Sequence, residues 1–159
     1  MSPILNIVLY QPEIPGNTGT IGRTCVALGA KLWLVRPLGF RIDEKSLRRA
    51  GLDYWKHLDW EVADHWEDLQ QKLQPKQSWY LTKFATRAYD DVQYEVGDTL
   101  VFGCETKGLP KSITELTPDQ NLRIRTTDKV RSLNLACSVG IVAYEAARQF
   151  SHRGEISLQ

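Results

Sequence analysis

The sequence predicts an α/β fold with a mainly parallel sheet flanked by helices. Short apolar runs alternate along the chain with segments of helical periodicity, which is the pattern of βαβ units. The chain has 159 residues, of which 42% are hydrophobic and 25% charged, as in ordinary soluble globular proteins. This length suits a single domain over residues 1–159, with a core large enough to need no disulfide or metal.

The first predicted elements are a strand, a helix and a second strand. Ile4–Tyr10 is an apolar run typical of a strand. Asn17 can cap the helix that follows, which we expect to end near Leu28 because Gly29 is a common helix stop. Lys31–Arg36 is a second apolar run and predicts the second strand.

Two helices are predicted next. Asp43 can cap a short helix through Arg49, with Gly51 as its stop. The segment Asp64–Leu73 carries apolar residues at helical spacing, and Pro75 ends it.

The C-terminal half predicts three strands and the longest helix. The strands are expected at Trp79–Thr82, Thr99–Gly103 and Leu122–Arg125. The helix is expected over Leu133–Phe150, because one of its faces is apolar and carries Val139, Val142, Ala143, Ala146 and Ala147. Ligands of such sheets bind beyond the carboxyl ends of the strands, so the loops after the strands are the candidate sites.

The charge of the chain is balanced, with 20 lysine and arginine residues against 19 aspartate and glutamate residues. The formal net charge of +1 gives no general attraction to nucleic acid. The distribution is less even, because basic residues cluster at 45–49 and 123–131. These clusters are either solvated faces or local sites for an anion.

Several classes of protein are disfavoured. No apolar run approaches the ~20 residues of a membrane span, and the N-terminus lacks the basic region of a signal peptide. Cys25, Cys104 and Cys137 form no C-x-x-C motif, as expected for free thiols in the cytoplasm. The three histidines match no zinc motif, and no G-x-S-x-G elbow is present. We therefore expect a cytoplasmic protein without a metal or a membrane segment.

The loop after the first strand runs into a helix N-terminus, where free N–H groups and the helix dipole can hold an anion. Arg23 lies six residues after Asn17, under two turns further on and roughly back towards the same side. A helix cap with a surface arginine is the simpler interpretation of the same residues.

The glycines of this loop offer another interpretation. Gly16, Gly19 and Gly22 are similar to a dinucleotide-binding pattern, but spaced G-x-x-G-x-x-G instead of G-x-G-x-x-G. The second strand ends in Arg36 instead of an acid, so the ligand would be NADP.

The loop after the fourth predicted strand contains Gly103 and Gly108, which permit close backbone approach and bracket Glu105 and Lys107. Pro110 is expected to open a helix at its first position. A polar turn without a ligand is the alternative.

The last loop precedes the longest helix. Ser132 is placed to cap that helix, and Asn134 falls in its first turn. Capping explains Ser132 but leaves Asn134 for another role, because asparagine is a mediocre residue inside helices.

In this order and at these separations, the three loops resemble the motifs of the SpoU branch of the SPOUT methyltransferases. The motif segments are Asn17…Arg23, Phe102–Pro110 and Ile124–Leu135. Further segments resemble the TrmL-like group, which methylates the 2′-hydroxyl of the tRNA wobble nucleotide: Asn6–Tyr10, Pro12–Pro15, Pro37–Phe40, Leu47–Tyr54 and Val142–Ala146. The chain departs from that group at Lys107, where arginine is usual, and at Cys104, where proline is usual.

The resemblance implies a C-terminal deep trefoil knot and a homodimer. It also implies S-adenosylmethionine (SAM) as methyl donor, held in the knot without a metal. The residues implied in cofactor binding are Leu81, Thr82, Gly103, Glu105, Gly108, Ile124, Ser132 and Leu133.

The implied reaction is 2′-O-methylation of C34 or U34 in tRNA. Arg23 is implied as the essential catalytic residue, either as a base or as a phosphate clamp. We favour the clamp, because an arginine pKa lies above ~12. The residues implied to orient it and the substrate are Asn17, Glu105, Ser132 and Asn134.

The implied partner is the tRNA anticodon stem-loop, with no membrane and no stable protein partner. The implied tRNA contacts are Arg23, Arg48, Arg49, Lys107, Lys129 and Arg131. An NADP-binding oxidoreductase and a non-catalytic RNA-binding module remain alternatives.

Overall fold

The computed structural model describes residues 2–42, 45 and 54–159 of the chain. Within these residues the strands are β1 Asn6–Tyr10, β2 Lys31–Val35, β3 Trp60–Ala63, β4 Ser78–Leu81, β5 Thr99–Phe102 and β6 Asn121–Leu122. They form one sheet in the order β3-β2-β1-β5-β4-β6, and every pairing is parallel. The predicted α/β fold with a parallel sheet is confirmed.

Four α-helices and two short 3-10 helices accompany the sheet in the described ranges. The α-helices are α1 Pro15–Leu28, α2 Trp66–Leu73, α3 Lys111–Thr114 and α4 Leu135–His152, and the 3-10 helices are Trp55–His57 and Pro118–Gln120. In the part of the chain that the structure describes, no helix is long and apolar enough to cross a membrane.

The central strand β1 is covered on both faces, as parallel sheets require. Ile7 and Leu9 point into the larger core cluster, which includes residues of α1 and α4. Val8 points to the other face, where it joins Leu69 of α2. Each such side chain is fully buried, and burial of each contributes about 1.5–3 kcal/mol relative to exposure.

The longest helix buries the face that the sequence predicts. Its five apolar face residues have no exposed surface: Val139, Val142, Ala143, Ala146 and Ala147. The alanines keep this face flat, and α4 packs against α1 on the same side of the sheet.

The strand register brings the carboxyl ends of the central strands to one edge of the sheet. Leu9 of β1 and Leu81 of β4 both pair with Phe102, the last residue of β5. The loops after β1, β4 and β5 therefore begin side by side, as expected for the ligand edge of a parallel sheet.

The first helix starts earlier than predicted. α1 begins at Pro15, and Ile14 is its N-cap residue without a side-chain cap. Proline at the first position lacks only an N–H that has no helical partner anyway, so the helix needs no cap at Asn17. At the other end Gly29 adopts φ 73° and stops the helix as predicted.

The predicted cap of the longest helix is also wrong. Asn134 caps α4: its Oδ1 accepts hydrogen bonds from the N–H groups of Ala136 at 2.8 Å and Cys137 at 3.3 Å. Asparagine is among the best N-cap residues, and with it in that place Ser132 stays in the preceding loop. In α3, Pro110 is the N-cap residue and not the first helical residue.

Other boundaries differ in length. β6 has two residues instead of four. Beyond its end, Arg123 forms an isolated β-bridge with Ala88 but no longer belongs to the strand. The edge strand β3 was not predicted, because only Ala63 in it is fully buried. The predicted helix from Asp43 to Arg49, with its stop at Gly51, lies outside the described residues, Lys45 excepted.

Candidate active site

A cavity of about 410 Å³ lies at the carboxyl edge of the sheet. The loops after β4, β5 and β6 and the N-terminus of α1 form its walls. Its volume falls within the roughly 300–1,000 Å³ of small-molecule sites. All eight residues implied in cofactor binding line it: Leu81, Thr82, Gly103, Glu105, Gly108, Ile124, Ser132 and Leu133.

Glu105 ties the loop after β5 to the start of α1. Its Oε1 accepts a hydrogen bond from the N–H of Glu13 at 2.9 Å. Its Oε2 accepts from the N–H of Ile14 at 2.6 Å and from Nδ2 of Asn17 at 3.3 Å. A carboxylate is also well placed here because it faces the positive end of the helix dipole.

Glu13 makes the reciprocal connection. Its Oε1 accepts hydrogen bonds from the backbone N–H of Thr106 at 3.1 Å and from the Thr106 hydroxyl at 2.7 Å. Hydrogen bonds lower the pKa of Glu13. The one from the Thr106 hydroxyl has the largest effect, and those from the Cys104 side chain and the Thr106 N–H have smaller effects. The carboxylates of Glu13 and Glu105 thus each bind backbone N–H groups of the loop that carries the other. Sequence reasoning missed Glu13, because its partners lie over 90 residues away.

Asn17 and Asn134 connect the remaining wall. Nδ2 of Asn134 donates to Oδ1 of Asn17 at 3.1 Å, and Nδ2 of Asn17 donates onward to Glu105. The N-terminal ends of α1 and α4 are thereby linked to the loop after β5. This arrangement explains Asn134, whose amide oxygen accepts the cap hydrogen bonds while its amide nitrogen donates to Asn17.

The two glycines after β5 are held in close contact. A Cβ on Gly103 would lie 2.0 Å from the carbonyl carbon of Gly108 and 2.2 Å from the nitrogen of Leu109. Gly108 adopts φ +66°, and its N–H donates to the Cys104 carbonyl at 3.0 Å. The predicted close backbone approach at these glycines is confirmed.

The cavity lining is strongly basic. It contains the predicted tRNA contacts Lys107 and Arg131 together with Lys83 and Arg123, against the carboxylate of Glu105. Such a balance favours an anionic group. Sequence reasoning assigned Lys83 no role, although it directly follows Thr82 at the end of a strand. In the described residues, no group of three or more His, Cys, Asp and Glu side chains could hold a metal ion.

Arg23 does not line this cavity. It lies exposed on α1, with its guanidinium carbon 5.9 Å from the centroid of the Tyr54 ring. Six residues turn a helix through about 600°, which leaves Arg23 about 120° away from the direction of Asn17. The expectation that both face the same side is therefore wrong.

Tyr54 fixes the surroundings of Arg23. Its hydroxyl donates to the carbonyl of Gly19, and burial raises its pKa although the positive charge of Arg23 opposes this. Of the other implied tRNA contacts, Lys129 is exposed in the loop before α4 and away from the cavity lining. Arg48 and Arg49 lie outside the described residues.

The glycines of the first loop serve helix packing. Gly19 and Gly22 are buried inside α1, and a Cβ on Gly22 would lie 2.9 Å from the Trp55 ring. They form no phosphate-binding turn between strand and helix, so the basis for an NADP site is lost.

The fold and the site define an α/β ligand-binding protein with a basic cavity at the carboxyl edge of its parallel sheet. The chain belongs to the SpoU rRNA Methylase family, whose model matches residues 4–144. The family predicted from the three loops is confirmed.

Individual relatives are similar over nearly the whole chain. The tRNA (cytidine(34)-2′-O)-methyltransferase of Escherichia coli (strain K12) is 43% identical over 154 residues, 96% of this chain and 98% of that protein. A solved structure concerning the 2′-OH methylation of C/U34 on tRNA has a TM-score of 0.87 and 41% identity, covering 94% and 97% of the two chains. The AdoMet-bound rRNA methyltransferase from Sinorhizobium meliloti has a TM-score of 0.82 and 27% identity, covering 93% of this chain and 57% of that chain.

Proposed function

We propose that this protein is a SAM-dependent tRNA methyltransferase that modifies the ribose 2′-hydroxyl of the wobble nucleotide, C34 or U34. The observation that carries the proposal is the cavity at the sheet edge, which is walled by the three loops bearing the SpoU motifs. The name and near-complete alignment of the Escherichia coli relative support the substrate.

The cavity suits SAM in size and chemistry. Leu81, Phe102 and Ile124 offer apolar walls for an adenine ring, and the loop backbones around Gly103 offer polar groups. The AdoMet-bound relative supports the same cofactor. When bound, SAM supplies a methyl group that is already activated by a sulfonium. We assign its binding to the eight lining residues named above.

The protein must align the ribose hydroxyl with the methyl group and help it lose a proton. The 2′-oxygen gains the methyl carbon, the bond from that carbon to sulfur breaks, and the hydroxyl proton leaves to a base or to water. Asn17, Glu105 and Asn134 form one hydrogen-bonded network beside the cavity and thus orient the substrate. Ser132 lines the same wall.

Arg23 acts on the active site of a second copy. It is exposed and lies outside the cavity of its own chain, so a homodimer is the arrangement that brings it to a reacting ribose. There it clamps a phosphate next to the target nucleotide, because a guanidinium stays protonated and binds phosphate in a bidentate manner. The tRNA contacts of the proposal are Arg23, Arg48, Arg49, Lys107, Lys129 and Arg131.

The proposal includes a deep trefoil knot in the C-terminal part of one methyltransferase domain. The sheet order supports it: β6 lies beyond β4 at the edge, yet α4, which follows β6, packs against α1 near the other strands. The tRNA substrate and three free thiols support a cytoplasmic location. A crystal structure traced through residues 78–135 tests the knot.

Nucleoside mass spectrometry tests the activity. Unmodified tRNA is incubated with the protein and SAM, then digested to nucleosides and to oligonucleotides that contain the anticodon. We expect 2′-O-methylated cytidine or uridine at position 34. Tight tRNA binding without any methylation would instead support a non-catalytic RNA-binding module.

A further inference from the structure

Phe84 is 80% exposed, although its side chain has no polar group. A single exposed apolar residue needs no explanation. Phe84, however, lines the candidate active-site cavity, and so do the exposed side chains of Ile14 (49%) and Leu133 (37%). The mouth of the cavity therefore combines an open aromatic ring with the basic groups described above.

The backbone that carries Phe84 is held in a tight turn after β4. The N–H of Phe84 donates to the Thr82 hydroxyl at 3.3 Å, and the N–H of Ala85 donates to the Thr82 carbonyl at 3.2 Å. The N–H of Thr82 itself donates to the carbonyl of Leu122 in β6 at 2.9 Å. Because Ala85 is buried, the turn is anchored and presents Lys83 and Phe84 outward.

Lys83 places a positive charge beside the Phe84 ring. Its Nζ lies 5.2 Å from the centroid of the Phe84 ring, within cation–π distance. An aromatic face beside a cation matches the chemistry of an unpaired nucleotide, because the base stacks on the ring and the phosphate binds the cation.

We propose that Phe84, together with Lys83, is a stacking platform for the base of the nucleotide that is methylated. The inference rests on the proposed function, which places the ribose of that nucleotide in the cavity. The base is one glycosidic bond away from the ribose and therefore lies at the cavity mouth. SAM has a base as well, but it carries a positive sulfonium and no phosphate, so the basic rim favours the RNA.

A double-mutant cycle tests the platform. Anticodon stem-loop RNA with cytidine at position 34 is compared with the same RNA carrying a ribose without a base at that position. Kd values are measured with S-adenosylhomocysteine present for the wild type, Phe84→Leu and Phe84→Trp. Leu116→Ala is the matched control, because Leu116 is 73% exposed but away from the cavity lining.

We expect Phe84→Leu to weaken binding of the cytidine RNA by about 5- to 100-fold, as removal of an aromatic stacking partner does. For the RNA without that base the change is expected to stay under about twofold, and Phe84→Trp retains the wild-type affinity. SAM affinity measured without RNA is expected to be equal in all variants.

Two outcomes would overturn the platform: an equal penalty for both RNAs, or a loss of SAM affinity that places the ring at the cofactor's adenine. The wild-type protein is also assayed for methylation of the cytidine RNA. Absence of methylation contradicts the proposed function, whereas methylation without a base-dependent penalty contradicts the platform alone.

Discussion

Asn134 donates a hydrogen bond to Asn17 at 3.1 Å across 117 residues of sequence. Each asparagine also holds a second group: Asn134 caps α4, and Asn17 donates to Glu105. Neither side chain can rotate without breaking a bond elsewhere, so the walls of the cavity are mutually positioned before any ligand binds. Preorganisation of this kind is what a methyl transfer between two bound reactants requires.

Asn134 has two separable tasks, the cap and the link to Asn17. Asn134→Asp keeps an acceptor at the N-cap but loses the Nδ2 donor, whereas Asn134→Ala loses both. We expect Asn134→Ala to lower the free energy of unfolding by about 0.5–2 kcal/mol and Asn134→Asp to leave it nearly unchanged. Methylation is expected to fall more than tenfold in both. Urea unfolding measures the contribution of the cap, and single-turnover methylation rates measure that of the hydrogen bond to Asn17. Full activity of Asn134→Asp would show that methylation does not need the hydrogen bond to Asn17.

The carboxylate of Glu13 makes the stability of the folded protein depend on pH. Its pKa is lowered from an ordinary value of 4.5 by the hydrogen bonds from Thr106, so its carboxylate stabilises the folded state above that pH. The contribution is lost as pH falls through the lowered pKa of the folded state. We therefore expect Glu13→Gln to unfold more readily than the wild type at pH 7, with a smaller difference at pH 3.

Urea midpoints at the two pH values measure this effect. Glu95→Gln is a control, because within the described residues the Glu95 carboxylate accepts one hydrogen bond, from Gln93, and its charge acts on Asp98 and Arg153. A difference between Glu13→Gln and the wild type that grew on acidification would contradict the assigned hydrogen bonds.

Gly103 has no room for a side chain in the site. The Cβ of Gly103→Ala would meet backbone atoms at 2.0 and 2.2 Å, and backbone cannot move aside as a flexible side chain does. We expect SAM affinity to fall at least tenfold, or the protein to fail to fold. Gly140→Ala is the matched control: its Cβ meets nothing within 4 Å in α4, so we expect stabilisation of up to about 1 kcal/mol. Calorimetric SAM titration and thermal unfolding compare the two.

Alternation and periodicity were enough to predict the parallel sheet and the apolar face of α4, because both depend on local sequence. The helix starts were not predictable in this way. Asn17 looks like a cap in sequence, but its amide is taken up by Glu105 and Asn134, which only the folded sheet brings near. The loops that line the cavity were predicted through family motifs, whereas Lys83 and Phe84 carry no motif and are recognised only by their place on the cavity rim.

Arg131 is expected to contribute to the salt dependence of tRNA binding. It lines the basic cavity, and each phosphate contact adds about 0.7–0.9 to the slope of log K against log salt concentration. Arg131→Gln should reduce the slope by about that amount. Arg148→Gln is the control, because Arg148 lies on α4 and pairs with Glu145 at 2.9 Å. Filter-binding titrations between 50 and 300 mM salt measure both variants, and an unchanged slope for Arg131→Gln would exclude a phosphate contact.

Arg23 offers a test of shared active sites. Arg23→Ala is expected to abolish methylation with SAM affinity nearly unchanged, because Arg23 lies outside the cavity of its own chain. Asn134→Ala damages the cavity itself but leaves Arg23 in place. If a homodimer combines the cavity of one chain with Arg23 of the other, a mixture of the two impaired variants contains heterodimers with one intact site.

Co-expression of the two variants with different affinity tags isolates that heterodimer. Its expected activity is close to half that of the wild-type dimer, because one of its two sites has both an intact Asn134 and an intact Arg23. Arg23→Lys is the matched control: lysine keeps the charge but loses the bidentate grip on phosphate, so partial activity in the homodimer favours a clamp. A heterodimer as inactive as its parents would show that each chain must supply both residues to the same site.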